Sequence, residues 1–137
     1  VFSAGFNALI CQGFTGEDAI TACVETAHAM GGTCLVVSEM SHPGAEEVVH
    51  GGVAEHIAEL AVTLGADGII APATRPDRVR LLRGIVRRKK IYSPGVGAQG
   101  GDAAIVAGLV DGIIVGRQIY LSPDPRSAAA EYGPFRQ

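Results

Sequence analysis

The feature that most constrains this chain is a repeating alternation between two patterns. Short, continuously apolar runs rich in β-branched residues alternate with longer stretches of helical period. The runs are Phe6–Cys11, Cys34–Glu39, Gly68–Ala71, Lys90–Ser93 and Gly112–Val115. Unbroken apolar runs of this length are expected of parallel strands whose two faces are covered by helices. Between them, Gly16–Met30 sets Ala19, Ile20, Cys23, Val24 and Ala27 on one helical face. Val53–Leu64 does the same with Val53, Ile57, Leu60, Ala61 and Leu64. Pro76–Arg88 opens on Pro and Asp, a good helix start, and turns Val79, Leu82 and Ile85 inward. Asp102 stands as an N-cap before Ala103–Leu109, and Pro125 leads a last helical segment over Asp124–Tyr132. The order is β-α repeated five times, with strand starts roughly 20 to 35 residues apart, the length of βαβ units.

Consecutive right-handed βα units close in two main ways, an open doubly wound sheet or a (β/α)8 barrel. A barrel takes about 200 residues or more and eight strands. With 137 residues the chain is bounded to one domain, residues 1–137, and it supplies five strands, so periodicity alone favours the open sheet. The hydrophobic fraction of 47% against 18% charged residues excludes disorder, and with aromatics at 5% the core must be built from Ala, Val, Ile and Leu. A net charge of −3 argues against a nucleic-acid partner, which would call for a basic patch. No apolar run approaches the roughly 18 residues of a membrane span. Three cysteines, Cys11, Cys23 and Cys34, are odd in number and sit in apolar or mixed segments; they read as reduced core residues of a cytoplasmic protein. Val1–Gly5 reads as the last turn of a helix ending at a glycine cap, as if the chain began within something larger.

The densest chemical signal is Ser93-Pro94-Gly95-Val96-Gly97-Ala98-Gln99-Gly100-Gly101-Asp102, after the fourth strand and before a helix. Its glycines leave backbone N–H groups free to point at an oxyanion, and the helix that follows adds a favourable dipole. Gly95 to Gly100 also spells the G-x-G-x-x-G of dinucleotide folds. That fingerprint belongs on a first strand with an acidic residue after the second, whereas here Asp111 precedes the next strand. A second signal, Ile113-Ile114-Val115-Gly116-Arg117, ends the last strand: Gly116 allows close approach and Arg117 offers a bidentate grip on phosphate. Glycine-bearing loops after the last two strands match the phosphate site of many barrels, which would make these five the fourth to eighth strands. Ser41, in Ser38-Glu39-Met40-Ser41-His42-Pro43-Gly44, would project into the barrel mouth as a hydrogen-bonding group; without a His–Asp partner it suits binding better than covalent catalysis. His42, ahead of Pro43, is held extended.

Ser38–Glu46 (SEMSHPGAE), Pro72–Pro76 (PATRP), Ser93–Asp102 (SPGVGAQGGD) and Ile114–Tyr120 (IVGRQIY), in this order along nearly the whole chain, resemble orotidine 5′-phosphate decarboxylase of the archaeal type. The resemblance implies a (β/α)8 barrel of which this chain supplies strands four to eight. It implies a homodimer with sites at the subunit interface, no metal and no cofactor, and the conversion of orotidine 5′-monophosphate to UMP and carbon dioxide. Carried over by motif, Pro94, Gly95, Val96, Gly97, Ala98, Gln99, Gly100, Gly101 and Asp102 would form the phosphate-side loop, with Gln99 reaching toward phosphate and pyrimidine. Gly116 and Arg117 would hold the phosphate, and Ser41 would bond the pyrimidine edge. The family's catalytic lysine–aspartate array, D-x-K-x-x-D, has no match in this sequence, so no catalytic residue is assigned. Gln12 stands where the family usually has His.

Two other readings stay open. One is a non-catalytic phosphate-binding half barrel, with open sheet edges that invite self-pairing. The other is a metal-dependent sugar-phosphate lyase or epimerase. His28, His42, His50 and His56 have no metal-binding spacing and read as solvated. Arg87-Arg88-Lys89-Lys90 reads as a solvated run offsetting a helix dipole, and Glu46, Glu47, Glu55 and Glu59 as surface charges.

Overall fold

A computed structural model describes residues 1–135. Its strands are β1 (Ala8–Gln12), β2 (Thr33–Val37), β3 (Gly68–Ile70), β4 (Lys90–Pro94) and β5 (Gly112–Ile114). The helices are α1 (Glu17–Ala29), α2 (Glu46–Val49), α3 (Val53–Thr63), α4 (Pro76–Val86), α5 (Ala103–Val106), α6 (Arg117–Tyr120) and α7 (Pro125–Ala130). All five strands are parallel and lie in one sheet in sequential order, β1 to β5.

That order decides between the two closures. A doubly wound sheet reverses direction at a switch point and receives helices on both faces. This sheet never reverses, so right-handed crossovers put the connecting helices on one face, as in a barrel wall. Cys34, Val36, Ile69, Ala71 and Ile91 join Ile20, Val24, Ile57, Ala61, Val79 and Leu82 in the core between sheet and helices. Leu35 and Ile70 point the other way and are buried outside that cluster. At the sheet's two margins the same face leaves Ile10 50% and Ile114 41% exposed. The expectation of strands covered by helices on both faces is therefore corrected to one covered face and one inner face.

Each strand predicted from the sequence is present, shifted by at most two residues. Ala103–Leu109 shortens to α5 because the chain turns at Ala107–Leu109, where the Leu109 amide bonds the Val106 carbonyl at 2.8 Å. Two short α-helices have no counterpart in the sequence pattern. Pro43 opens a turn of 3-10 helix that runs on into α2, and α6 begins one residue after β5's glycine-bearing exit.

The N-terminal ends of β3 and β5 carry the same four residues, Asp67-Gly68-Ile69-Ile70 and Asp111-Gly112-Ile113-Ile114. In both, the aspartate latches onto the preceding strand. Asp67 Oδ2 accepts the Cys34 amide at 2.8 Å, and the Asp67 amide donates to the Cys34 carbonyl at 2.9 Å. Asp111 Oδ2 accepts the Ile91 amide at 2.9 Å, and its own amide donates to the Ile91 carbonyl at 2.8 Å. Arg83 and Lys90 pair with Asp111 at 2.6 and 3.1 Å, and His28 lies 3.0 Å from Asp67. His28 and Lys90 are thus tied to carboxylates and are not merely solvated. Burial alone would raise the pKa of either aspartate; the amides and neighbouring cations override it and hold both below the usual carboxylate range.

The three cysteines are free, with Cys34 buried and Cys11 and Cys23 half-buried. Burial, then the Cys34 thiol 3.9 Å away, pushes the Cys11 pKa up to about 12. Among the described residues no helix is long and apolar enough to cross a membrane.

Candidate functional site

The segments leaving β2, β3, β4 and β5 at their C-terminal ends gather on one side of the sheet. Beneath them lies a group that sequence reasoning missed. Glu39, two residues beyond β2, is fully buried and accepts Arg75 Nε and Arg78 Nε, each at 2.8 Å. Arg78 also reaches Glu55 Oε1 at 2.7 Å, and Arg75 donates to the Met40 carbonyl and approaches Glu46 Oε1 at 3.5 Å. The Arg78 guanidinium holds Glu55 below the usual carboxylate range. Glu55 is therefore a paired, half-buried group and not a free surface charge, and Glu46 is partly engaged as well. The readable signal was Glu39 itself. A carboxylate closing an apolar strand must find cations or lose its charge.

This network fixes the loop that carries Ser41. Above it opens a cleft of about 510 Å³ lined by Ser41, His42, Pro43, Glu46, Thr74, Arg75, Gln99 and Arg117. Three sequence-predicted residues, Ser41, Gln99 and Arg117, thus arrive in one cleft from the ends of β2, β4 and β5. His42 has φ −82° and ψ 156°, the extended conformation expected ahead of Pro43. Thr74 and Arg75, from the Pro72–Pro76 motif, belong to the cleft too, with no role assigned to them in the sequence reading. Thr74 Oγ1 donates to the Ser41 carbonyl at 3.2 Å, tying the β3 exit to the β2 exit.

A smaller hollow of about 220 Å³ adjoins the cleft, lined by Pro94, Gly95, Val96, Ala98, Gln99, Ile114, Gly116, Arg117 and Tyr120. The glycine-rich loop closes on itself. The Gly97 amide bonds the Gly101 carbonyl at 3.0 Å, Gly100 bonds Gly97 at 2.8 Å and Gly101 bonds Gly95 at 3.0 Å. Among the described residues the amides of Ala98 and Gln99 find no backbone hydrogen-bond partner, and they sit at the exposed tip. Gly95 has φ +96°, and a Cβ there would stand 3.0 Å from Ser41 Cβ and 3.1 Å from Thr74 Cγ2. Only glycine lets the loop pass this close to the β2 exit.

The other predicted loop residues stand apart from the cleft. Gly97, Gly100, Gly101 and Asp102 line a separate hollow behind the loop. Asp102 caps α5, accepting the Ala104 amide at 2.8 Å, as its place before that helix predicts. Arg75, Arg78, Arg80 and Arg83 each pair with a carboxylate. Arg117 is exposed, and its guanidinium has no hydrogen-bond partner among the described residues. Among the described residues no group of three or more His, Cys, Asp or Glu side chains is arranged to hold a metal ion.

Comparison with known proteins places the chain. The model of the orotidine 5′-phosphate decarboxylase / HUMPS family matches residues 1–132. The chain is 52% identical over 133 residues to the orotidine 5′-phosphate decarboxylase of Methanosarcina mazei, covering 96% of this chain and 60% of that protein. It is 48% identical over 132 residues to that of Thermococcus kodakarensis, covering 94% and 59%. Among solved structures, orotidine 5′-monophosphate decarboxylase from Methanocaldococcus jannaschii, complexed with inhibitor BMP, superposes with a TM-score of 0.88 at 36% identity, over 94% of this chain and 61% of that one. The Pyrococcus horikoshii enzyme gives 0.82 at 39% identity, over 98% and 63%. The chain thus spans about 60% of the length of these relatives. A one-sided parallel sheet that carries its cleft at the strand C-termini matches part of their barrels, and the chain belongs to the orotidine 5′-phosphate decarboxylase / HUMPS family.

Proposed function

We propose that this chain is the phosphate- and pyrimidine-binding portion of an orotidine 5′-phosphate decarboxylase, forming one unit that supplies strands four to eight of the barrel. The observation that carries the reading is the meeting of Ser41, Gln99 and Arg117 in one cleft of about 510 Å³. A nucleoside monophosphate needs an unpaired cation for its phosphate and hydrogen-bonding groups for its base. Arg117 and the free amides of Ala98 and Gln99 suit the first, with Gly116 allowing close approach. Ser41 and the Gln99 side chain suit the second. Gly97, Gly100, Gly101 and Asp102 shape the loop. The Methanocaldococcus jannaschii relative is complexed with an inhibitor, which supports ligand binding by this fold.

In the whole enzyme, a lysine–aspartate array outside these 137 residues would supply the proton that replaces carbon dioxide. Phosphate contacts far from the reacting carbon would contribute binding energy to the transition state. The working assembly is a homodimer with no metal and no cofactor.

The test is a calorimetric titration with UMP, with Arg117→Ala beside the wild type. Loss of one charge-assisted contact is worth about 1.5–3 kcal/mol, so the variant should bind roughly 10- to 150-fold more weakly. An unchanged affinity removes Arg117 from the site, and no UMP binding by the wild type refutes the reading. Orotidine 5′-monophosphate turnover, followed by ultraviolet absorbance, should be absent from the chain alone.

A further inference from the structure

The glycine-rich loop touches more than the cleft in front of it. Gly97 is its hub, giving its amide to Gly101 at 3.0 Å and its carbonyl to the Gly100 amide at 2.8 Å. The residues that follow it, Ala98 and Gln99, carry the loop's free amides. Behind Gly97 stand two side chains from different elements. A Cβ on Gly97 would lie 3.0 Å from the Tyr132 hydroxyl oxygen and 3.1 Å from Gln118 Cγ. Gln118 follows Arg117 on α6, and Tyr132 lies just beyond α7 with its ring packed against the core. Elsewhere the loop rests on the core through Val96 and on the β3 exit through Gly101, which passes close to Ala73. A hollow of about 430 Å³ separates Val96, Gly100 and Gly101 from Glu131 and Phe135. With φ at +73°, Gly97 cannot readily fill the gap with a side chain of its own.

We infer that Tyr132 is a positioning residue for the phosphate loop: its hydroxyl, wedged behind Gly97 beside Gln118, sets the direction in which the Ala98 and Gln99 amides point. The inference deepens the proposed function and rests on it for the identity of the ligand. The wedge links the loop to α6 through Gly97 and Gln118, so the loop's free amides and the Arg117 guanidinium are held in register. The ring anchors the wedge in the core, and the hydroxyl makes the contact.

The experiment uses this chain with Tyr132→Ala and Tyr132→Phe, two ligands and amide exchange. UMP carries the phosphate; uridine is the same nucleoside without it. Tyr132→Ala should weaken UMP about tenfold, the cost of a loop that must be ordered on binding, and leave uridine unchanged. Exchange of the hydrogen-bonded amides of Gly97, Gly100 and Gly101 should accelerate in the unliganded variant, with β3 and β4 unaffected. Tyr132→Phe, which keeps the ring and loses the wedge atom, should show a smaller change of the same kind. Unchanged loop exchange in Tyr132→Ala overturns the inference whether or not UMP binds, and so does an equal loss for UMP and uridine. Faster exchange through β3 and β4 would make Tyr132 a core residue only and also overturn it. Failure of the wild type to bind UMP would instead refute the proposed function, and loop exchange alone would then decide the role of Tyr132.

Discussion

Glu39 is the most consequential single charge in the fold, and its replacement has a calculable cost. Its carboxylate is fully buried and accepts two guanidiniums, Arg75 Nε and Arg78 Nε, each at 2.8 Å. Both arginine side chains are themselves largely buried, at 17% and 24% exposed. Glu39→Gln keeps the shape but removes the charge. The amide can accept from one arginine only, and its NH2 then faces the other. One charge-assisted bond is lost and the second weakened, about 2–4 kcal/mol. Glu39→Ala leaves both guanidiniums short of their shared carboxylate and costs about 3–5 kcal/mol. Glu55 and Glu46 keep either loss from growing larger, since each still partners one of the arginines. For a chain of this size the Gln variant should lower the melting temperature by roughly 10 °C. Urea denaturation should give a lower midpoint at unchanged slope. A double-mutant cycle with Arg78→Gln should return coupling above about 1 kcal/mol, because the pair is in direct contact. A Gln variant within about 0.5 kcal/mol of wild type, or no coupling, would refute the claim that this network holds the β2 exit in place.

Three further outcomes follow from named contacts. Gly95→Ala forces a Cβ into Ser41 and Thr74 at φ +96°, and should cost about 1–2 kcal/mol of loop stability and weaken UMP binding; calorimetry and a melting curve read both. Asp111 is held below the usual carboxylate range in the folded chain, so its contribution is complete above about pH 4 and is lost as pH falls through the folded value. The stability gap between wild type and Asp111→Asn should accordingly shrink between about pH 4 and 2, as urea midpoints across that range would register; a constant gap refutes it. Cys11, pushed up to about 12, should react with an alkylating reagent at pH 8 about a thousandfold more slowly in the native chain than in urea.

How much the sequence disclosed depended on whether the signal was local. The β-α rhythm is a local pattern, and every predicted strand appears because β-branched runs bounded by turns have few other uses. Choosing between closures was not local. Five apolar strands fit either a doubly wound sheet or part of a barrel; the motifs and the resemblance they carry point to the barrel, and the unreversed order β1 to β5 agrees with it. The recognisable motifs carry Ser41, Gln99 and Arg117, and all three line one cleft because each follows a strand of a parallel sheet and the C-terminal ends of such strands meet. What stayed hidden was pairing between distant charges. Glu39 and Arg75 lie 36 residues apart; the apolar strand ahead of Glu39 shows that it needs a cation, and nothing local names the arginines that supply it. Tyr132 was invisible for the same reason. Its partner, Gly97, has no side chain to advertise the contact.

These hidden contacts divide along the strand direction. At the N-terminal ends of β3 and β5, Asp67 and Asp111 each join one strand's first turn to its neighbour through paired backbone bonds. Those latches commit the aspartate carboxylates to backbone amides of the sheet, so they serve stability. At the C-terminal ends the arrangement inverts. Glu39 spends its carboxylate below the cleft on Arg75 and Arg78, which leaves Arg117 the cleft-lining guanidinium without a carboxylate partner among the described residues. A fold that paired Arg117 as it pairs the others would be more settled and would have nothing with which to hold an anion. The same trade shapes the β4 exit, where the amides of Gly97, Gly100 and Gly101 are used within the loop while those of Ala98 and Gln99 are kept free. Sequence changes at the two ends should therefore separate in their effects. Those at Asp67 and Asp111 should alter the denaturation midpoint and leave the affinity of the folded chain for UMP unaltered. Those at Arg117 and Gln99 should do the reverse, because an unpaired, exposed polar group contributes to binding without contributing to the fold.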